Sequence, residues 1–480
     1  MNFATITYIL GWILKVEGGL LLLPALVGLI YRESAFLSYL AVAALTFAVG
    51  ALMTRKKPRL MQVYGRDGFA AVGLGWIAIS VFGALPFSLC GDIPFYVDAL
   101  FETISGFTTT GSSILSSVEE LNHCTLFWRS LTHWVGGMGI IVFMLAIVPI
   151  LGGSTLNLMK AESPGPVVDK LVPRIKQSAT ILYGIYGLLS AAELILLMLF
   201  GMPLFEAICH TFGTVGTGGF SVLNQGYMAY PASLQIITTV FMLLCGTNFT
   251  FFYLIGCRRF RSAFKMEEVR VYLVIVVLSI LLIGWNIRGL YGSAGDTVRA
   301  AAFQVASVIT TTGYASADFN AWPELSKMIL VVLMFVGACA GSTGGGMKVS
   351  RLIIAVKSVK REISTINHQR LVKKIRMDGS TIADSTIHST HVFIAAYFLI
   401  FFISALLVSL DGFDFAASFT AVAATLNNIG PGLSVIGPTG NFGDFSVLSK
   451  LVLMFDMLAG RLELFPMLIL LAPGSWRRHS

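Results

Sequence analysis

Four short segments rich in threonine and glycine contain the residues best suited to bind an ion. They read TTTGSS, TVGTGG, TTTGYA and NNIGPG. Backbone carbonyls in such a strand can replace the hydration shell of K⁺, and glycine permits the dihedral angles that turn those carbonyls inward. The pattern predicts a potassium filter in which carbonyls alone hold the ion. Its predicted residues are Thr109, Thr110, Gly111, Val215, Gly216, Thr217, Gly218, Gly219, Thr311, Thr312, Gly313, Asn428, Ile429 and Gly430.

Two of these turns depart from the pattern of the others. The register of the second turn is open, because Gly216, Gly218 or Gly219 could be its key glycine. The fourth turn has Asn and Ile where the others have Thr. Carbonyl ligands do not need threonine side chains, so we expect a distorted ring rather than a lost one. A single such turn is more often an ordinary loop, but four equivalent copies favour a filter.

A second glycine-rich segment lies near the end of an apolar stretch. Each interior glycine costs a helix about 1 kcal/mol relative to alanine, so three in a row should break it. Broken backbone at membrane depth is tolerated only where it lines protein or water, which predicts a gate loop below the filter. An alternative is a packing face made by Gly337 and Gly341, which leaves the later glycines unexplained. The predicted gate residues are Gly341, Ser342, Thr343, Gly344, Gly345 and Gly346.

Arg461 lies inside the last apolar stretch, and an ionisable residue inside a membrane is a functional candidate by default. We expect it to form a fixed positive barrier in the ion path, with Asp456 or Glu463 as its partner. The alternative is a structural ion pair between spans. Lys15 and Glu17 stand two residues apart in the first span, do not share a helical face, and are placed outside the pore.

The composition places these segments in a membrane. Of 480 residues, 56% are hydrophobic and 12% are charged, about half the charged share of a soluble domain. Each apolar stretch has the length needed to cross a bilayer as a helix. The ten predicted spans are 8–30, 36–53, 68–90, 127–150, 179–200, 232–256, 270–290, 326–347, 388–410 and 447–471.

Shorter apolar pieces near 97–107, 204–213, 299–309 and 415–427 suit re-entrant helices. After two leading spans, the order span, short helix, glycine-rich turn, span occurs four times at a period of roughly 100 residues. The predicted fold is an all-α polytopic membrane protein with four pseudo-symmetric helix–pore-loop–helix repeats around a central path. The predicted units are 1–60 (leading pair), 61–160 (repeat 1), 161–262 (repeat 2), 263–376 (repeat 3, with the gate loop and a basic connection) and 377–480 (repeat 4).

The basic residues predict the orientation. Alternate connections (54–66, 151–178, 257–270, 346–390 and the tail) hold 25 of the 33 Lys and Arg, and such connections are cytoplasmic. Both termini are therefore expected in the cytoplasm and all four filter turns on the outer half. The N-terminal stretch lacks a basic leader and a cleavage site, which indicates a retained span. The net charge of +8 thus serves topology rather than nucleic-acid binding.

Cysteine and histidine offer no enzymatic or metal site. The six cysteines show no CxxC spacing and are interpreted as apolar fillers, with a Cys90–Cys124 disulfide left open. The seven histidines are scattered and form no catalytic pattern. An ion-coupled secondary carrier is the main alternative. Such carriers commonly have inverted repeats, whereas every short helix here is predicted to enter from one side.

The segments GACAGSTGGGMKV, DMLAGRLELFP, ITTTGYAS and LNNIGPGLS closely resemble the TrkH branch of the Trk/Ktr/HKT superfamily. The resemblance covers essentially the whole chain. It implies potassium uptake across the bacterial inner membrane by a lipid-embedded homodimer. It also implies a cytosolic TrkA-type RCK subunit that carries the nucleotide, no cofactor in this chain apart from transported K⁺, and gating by the 341–346 loop with Arg461. Relatives with serine in the first filter tend to pass sodium, whereas this chain has Gly111; its TVGTGG replaces the more usual TVAIGG.

Overall fold

The computed structural model describes residues 1–58, 65–139, 175–368 and 374–476. In these ranges the chain is helical apart from turns, loops and one small hairpin of Arg376–Met377 and Ser380–Thr381. Predicted features at 140–150 and in most of the basic connection 151–178 lie outside the described residues. The prediction of an all-α polytopic membrane fold is confirmed.

The leading pair consists of two antiparallel helices packed through glycines. The first is Phe3–Leu20 continued by Leu22–Tyr31, and the second is Phe36–Met53. A Cβ atom on Gly50 would lie 2.6 Å from the carbonyl oxygen of Gly11. Only glycine lets the two backbones approach this closely, as small residues do between membrane helices.

Each predicted repeat contains a long helix, a short helix and a helix that follows the predicted filter segment. The short helices, named pore helices 1 to 4, are Tyr96–Phe107, Leu204–Val215, Ala294–Ile309 and Phe415–Leu426. The long helices that precede them are Gly65–Cys90, Ile175–Leu199, Glu267–Ile287 and Asp384–Val408.

The post-filter helices, which follow the filters, are shorter than predicted. They are His123–Met138, Ala232–Cys245, Glu324–Val336 and Val447–Arg461. The last three are followed, after a break, by Phe249–Gly256, Val349–Asn367 and Phe465–Leu471. The predictions of continuous spans at 232–256 and 447–471 are therefore wrong, whereas the helix within 326–347 is broken, as the glycine run predicted.

The break after Cys245 shows why these helices end early. The chain bends by 92° between Ala232–Cys245 and Phe249–Gly256. The freed carbonyl of Gly246 accepts from the Cys339 amide at 3.0 Å, and that of Cys245 accepts from the Thr343 hydroxyl at 3.2 Å. Bonds from another loop thus replace the missing helical bonds. Such replacement is what allows a broken helix inside a membrane.

These breaks also explain the number of helices that can cross a membrane. In the described ranges, six helices are long and apolar enough to do so, and the bent pair 232–256 makes a seventh. Ten spans were predicted because apolar composition continues across each break. Hydropathy reports the solvent around a segment, not whether its helix is continuous.

The six cysteines, all within the described part of the chain, are free. The hypothesis of a Cys90–Cys124 disulfide is therefore wrong. The hydroxyl of Thr125 lies 3.9 Å from the Cys90 sulfur and donates a hydrogen bond to Asp92 at 2.5 Å. Cys124 is fully buried in the apolar core, as expected of a cysteine that fills space.

Glu33 joins the leading pair to repeat 1. Its carboxylate accepts from the backbone amides of His123 at 2.7 Å and Cys124 at 3.1 Å, and lies 2.8 Å from Nδ1 of His123. It therefore caps the helix that follows filter 1. Burial raises the pKa of the Glu33 carboxyl, but these hydrogen bonds lower it by more, so its pKa is below the ordinary value.

Replacing Glu33 with Gln should destabilise the protein by about 1 kcal/mol, because the cap loses its charge. A lowered folded-state pKa means that the stabilisation is complete above the unfolded-state pKa and is lost as the pH falls through the folded-state value. The difference in thermal midpoint between wild type and Glu33→Gln should thus be clear at neutral pH and narrow in acid. Glu120→Gln, which changes an exposed carboxylate in the connection before His123, is the control. Equal midpoints for wild type and Glu33→Gln at neutral pH would contradict the prediction.

Candidate ion path

The four predicted filter segments share one backbone conformation. In each, a non-glycine residue with positive φ is followed two residues later by a glycine with positive φ. The first set has φ values of 55° to 58° and comprises Thr109, Thr217, Thr311 and Asn428. The second set has φ values of 79° to 101° and comprises Gly111, Gly219, Gly313 and Gly430.

The same hydrogen bonds close the end of every pore helix. In repeat 1 the amide of Thr110 donates to the carbonyl of Ser105 at 2.9 Å, and the amide of Thr109 donates to Gly106 at 3.0 Å. The equivalent amides of Gly218, Thr312 and Ile429 make the first of these bonds at 2.8 to 2.9 Å. This pairing is typical of a helix that ends in a left-handed residue. These hydrogen bonds occupy carbonyls of the pore helix. They do not involve the carbonyls of the filter segment.

The glycines bring the four segments into a closed ring. A Cβ atom on Gly111 would lie 2.0 Å from the Gly218 oxygen, and one on Gly219 would lie 2.0 Å from the Thr312 oxygen. The third and fourth segments continue the series. A Cβ atom on Gly313 would lie 1.8 Å from the Ile429 oxygen, and one on Gly430 would lie 2.8 Å from the Thr110 oxygen. Each glycine therefore touches the carbonyl of the next segment. The order is 1, 2, 3, 4 and back to 1.

This ring gives the register of the second segment. Gly219 occupies the position of Gly111, Gly313 and Gly430, and Gly216 occupies the position of Thr108, Thr310 and Asn427. Val215 is the last residue of pore helix 2 rather than part of the turn. The sequence could not decide which of the three glycines is the key one, because residue type does not reveal the backbone dihedral angles that distinguish them.

A cavity lies on the side of the ring that the basic connections predict to be external, and it is named the outer cavity. It has a volume of about 140 Å³ and is lined by the four ring glycines and by the residues that follow them. Next to it, the buried guanidinium of Arg129 pairs with Glu102 at 2.7 Å and lies 4.1 Å from the ring centre of Phe220. Glu102 also accepts from the amide of Ile114 at 3.1 Å. This pair therefore connects pore helix 1 to the ends of filters 1 and 2 that adjoin this cavity.

The predicted gate loop lies on the other side of the ring. The amide of Gly345 donates to the Thr311 hydroxyl at 2.6 Å. A Cβ atom on Gly345 would lie 2.5 Å from the Asn427 oxygen, and one on Gly344 would lie 2.9 Å from the Thr310 oxygen. The loop therefore contacts the ends of filters 3 and 4 that face away from the cavity. It begins at Gly337, four residues earlier than predicted, and the helix resumes at Val349.

Arg461 connects this loop to repeat 1. Its guanidinium donates to the carbonyl of Thr343 at 2.8 Å and to that of Gly137 at 2.8 Å, and it also donates to the carbonyl of Gly136. The predicted carboxylate partners are engaged elsewhere. Asp456 accepts from the Ser404 hydroxyl at 2.8 Å, and Glu463 pairs with Arg351. The partner prediction is corrected because breaks in neighbouring helices provide carbonyl acceptors at the same depth.

Sequence reasoning missed several residues that support the loop. Oε1 of Glu268 accepts from the amides of Ala340 at 2.7 Å and Ser350 at 3.1 Å. The ammonium of Lys348, buried and at φ 76°, donates to the carbonyl of Gly344. The Arg351 guanidinium lies 3.7 Å from the ring centre of Phe393. The charged residues beside the glycine run were an available signal, since a charge at such depth needs a partner.

The atoms in this site that could bind a cation are backbone carbonyl oxygens. In the described ranges, no group of three or more His, Cys, Asp or Glu residues could hold a metal ion. The ring instead brings the carbonyls of four equivalent residues together: Thr110, Gly218, Thr312 and Ile429. Carbonyl rings of this kind suit a dehydrated monovalent cation.

Comparison with known proteins gives a consistent picture. The family model TrkH, described as a cation transport protein, matches residues 36–291 and 290–477. The "Trk system potassium uptake protein TrkH" of Salmonella typhimurium is 37% identical over 99% of this chain and 100% of its own length. The TrkG protein of Escherichia coli is 33% identical over 98% of both chains. The crystal structure of the potassium transporter TrkH from Vibrio parahaemolyticus covers 99% of this chain and 100% of its own, with a TM-score of 0.87 and 35% identity.

The contact between Thr311 and Gly345 yields a test of the loop. Thr311→Val keeps the shape of the side chain but removes the acceptor, which should cost about 1 kcal/mol and favour opening of the loop about fivefold. Amide hydrogen exchange over 337–348 should therefore be faster in Thr311→Val and nearly unchanged in Thr311→Ser, which keeps the hydroxyl. Equal exchange in the two variants would mean that this bond does not hold the loop.

Proposed function

Because this chain belongs to the TrkH family of cation transport proteins, we propose that it forms the potassium-selective path of a Trk-type uptake system in the bacterial inner membrane. The observation that carries the proposal is the closed ring of four filter segments. Relatives over the full length are named potassium uptake proteins. Both termini are assigned to the cytoplasm and the outer cavity to the external side, in accord with the basic connections.

In this proposal the ring selects K⁺ through backbone oxygens. A potassium ion exchanges its hydration water for carbonyls, among them those of Thr110, Gly218, Thr312 and Ile429. The pore helices support this, because each directs the partially negative C-terminal end of its dipole at the ring. Asn428 fits the same role as the threonines, since its amide donates to the Thr110 hydroxyl at 3.0 Å and keeps filters 4 and 1 together.

The gate is proposed to be the loop 341–346 together with Arg461. The contacts of Gly344 and Gly345 with the inner ends of the filters support a barrier in series with the ring. The guanidinium adds a fixed positive charge that repels a cation. At an effective dielectric constant near 20, this repulsion is about 2–4 kcal/mol at distances of roughly 4–8 Å.

Regulation is proposed to reach the gate through the helix Val349–Asn367, which follows the loop directly. Lys357 pairs with Glu267 at 2.6 Å and Arg361 approaches Asp384 at 3.4 Å, so this basic helix is joined to the helices on either side of it. A cytosolic RCK subunit that binds a nucleotide, and a second copy of this chain, are the proposed partners. The word "system" in the relatives' names is consistent with further subunits.

Gly313→Ser tests the filter. A side chain there would need a strained positive φ, which costs about 1–2 kcal/mol, and would collide with the Ile429 oxygen. The displaced carbonyls should lower the ratio of K⁺ to Na⁺ permeability by about tenfold. Both permeabilities are measured in proteoliposomes. Gly292→Ser, at an open outer position of the same repeat, is the control. An unchanged ratio in a folded Gly313→Ser protein would remove Gly313 from the filter.

Arg461→Ala tests the gate. Removing the charge should raise K⁺ flux by about 30- to 900-fold in the purified protein without its regulatory subunit. Arg461→Lys, which keeps the charge, should show a much smaller rise. Arg288→Ala, an exposed arginine at an outer helix end, is the control for loss of a positive charge. Unchanged flux through a folded Arg461→Ala protein would mean that the residue is only structural and that the loop alone is the barrier.

A further inference from the structure

We propose that Tyr314 is a positioning residue for ion selection, and that it acts by holding the outer end of filter 3 against pore helix 2 and filter 2. The inference rests on the proposed function, since it assumes that the four segments form the filter. Tyr314 follows the ring residue Gly313 directly and its side chain is fully buried. Its ring points away from filter 3 and reaches the second repeat.

The hydroxyl of Tyr314 spans two elements of repeat 2. It lies 3.2 Å from the carbonyl oxygen of His210, in pore helix 2, and 3.3 Å from that of Phe220, the residue after ring glycine Gly219. Both oxygens can accept its proton in a shared hydrogen bond. One side chain thus links the outer ends of filters 3 and 2 and fixes both to the same pore helix.

A glycine on pore helix 2 makes room for this contact. A Cβ atom on Gly213 would lie 2.1 Å from the Tyr314 hydroxyl oxygen and 3.1 Å from the ring carbon that bears it. Any side chain at position 213 would therefore displace the Tyr314 side chain from this position. The requirement for glycine here is set by the tyrosine and not by the helix, since Gly213 has no positive φ.

The surroundings hold the tyrosine from both sides. Nδ1 of His210 lies 3.4 Å from the Tyr314 hydroxyl, and Nε2 lies 3.2 Å from that of Tyr230, which donates to Glu206 at 2.6 Å. The main chain is fixed as well, because the Ser307 hydroxyl donates to the Tyr314 carbonyl at 2.5 Å. The residue is therefore held at its backbone and at its tip, as a rigid spacer would be.

The residues that follow the ring glycine in the other three filters make different contacts. In filter 1 the equivalent residue is Ser112, whose hydroxyl donates to the Gly430 carbonyl of filter 4 at 3.1 Å. In filters 2 and 4 the equivalent residues are Phe220 and Pro431, which have no side-chain donor. Two of the four outer positions thus supply the polar links between neighbouring filters. Loss of either link should affect ring geometry, which a carbonyl filter needs for discrimination between ions.

The test compares Tyr314→Phe, Gly213→Ala and the double variant in proteoliposomes, with K⁺ and Na⁺ permeability as the readout. Tyr314→Phe removes one hydrogen bond and should lower the permeability ratio about fivefold. Gly213→Ala should lower it at least as much by displacing the ring. In the double variant the 2.1 Å collision with the hydroxyl is gone, so its loss should be smaller than the product of the two single losses.

Tyr227→Phe is the matched control. Tyr227 is a buried neighbour whose ring centre lies 4.8 Å from that of Tyr314, and its hydroxyl bonds to Thr238 instead of the filter. Its removal should change thermal stability about as much as Tyr314→Phe but leave the permeability ratio unchanged. Equal loss of selectivity in Tyr227→Phe would overturn the proposal, because general packing would then explain both.

Two further outcomes separate this proposal from the assignment of the filter. If Gly313→Ser lowers the permeability ratio but neither Tyr314→Phe nor Gly213→Ala does so, the positioning role is wrong and the filter stands. If all three leave the ratio unchanged, the filter assignment itself fails. Should Tyr314→Phe not fold, Gly213→Ala decides by the same criterion.

Discussion

Every backbone amide and carbonyl inside a membrane needs a partner in the protein or in a water-filled cavity, and the architecture of this chain depends on that constraint. The proposed ion path requires irregular backbone, both in the predicted filter segments and in the predicted gate loop, so helical bonds are lost in several repeats. Hydrogen bonds between the broken segments replace the lost helical bonds. Carbonyls of Cys245 and Gly246 accept from the gate loop, and the carbonyl of Gly341 in that loop accepts from the amide of Phe249 at 3.0 Å. Two breaks stabilise each other where one alone would be costly.

The sequence predicted the features that are local. Four short apolar segments, each before a glycine-rich turn, gave the pore helices to within a few residues, apart from Ala294–Ile309, which starts five residues early. The breaks after Cys245 and Arg461 were not predicted, because apolar composition continues through them. The acceptors of Arg461 could not have been predicted either, since the Gly136 and Gly137 carbonyls lie more than 300 residues away in sequence. Every residue carries a backbone carbonyl, so residue type does not show which of them accepts a hydrogen bond.

The filters show how a fixed backbone can tolerate different side chains. Thr109, Thr217, Thr311 and Asn428 all adopt a left-handed conformation that costs a non-glycine residue of order 1 kcal/mol. The repeated hydrogen bonds at the ends of the pore helices hold them there. Because the ligands are carbonyls, the second and fourth turns can differ in sequence from the others and still close the ring. Sequence similarity to a filter with threonine is therefore a weaker guide than the spacing to the preceding helix.

The contacts of Arg461 bear on how the path can change its state. One guanidinium in repeat 4 holds carbonyls of repeat 1 and repeat 3, so a displacement of any one of these elements strains the other two. A half-released arginine would leave buried carbonyls without donors, at about 1–3 kcal/mol each. On the proposed gating role, partly opened intermediates should therefore be sparsely populated and the transition should be concerted. On that proposal, a single ion path should switch between discrete levels of flux instead of varying continuously.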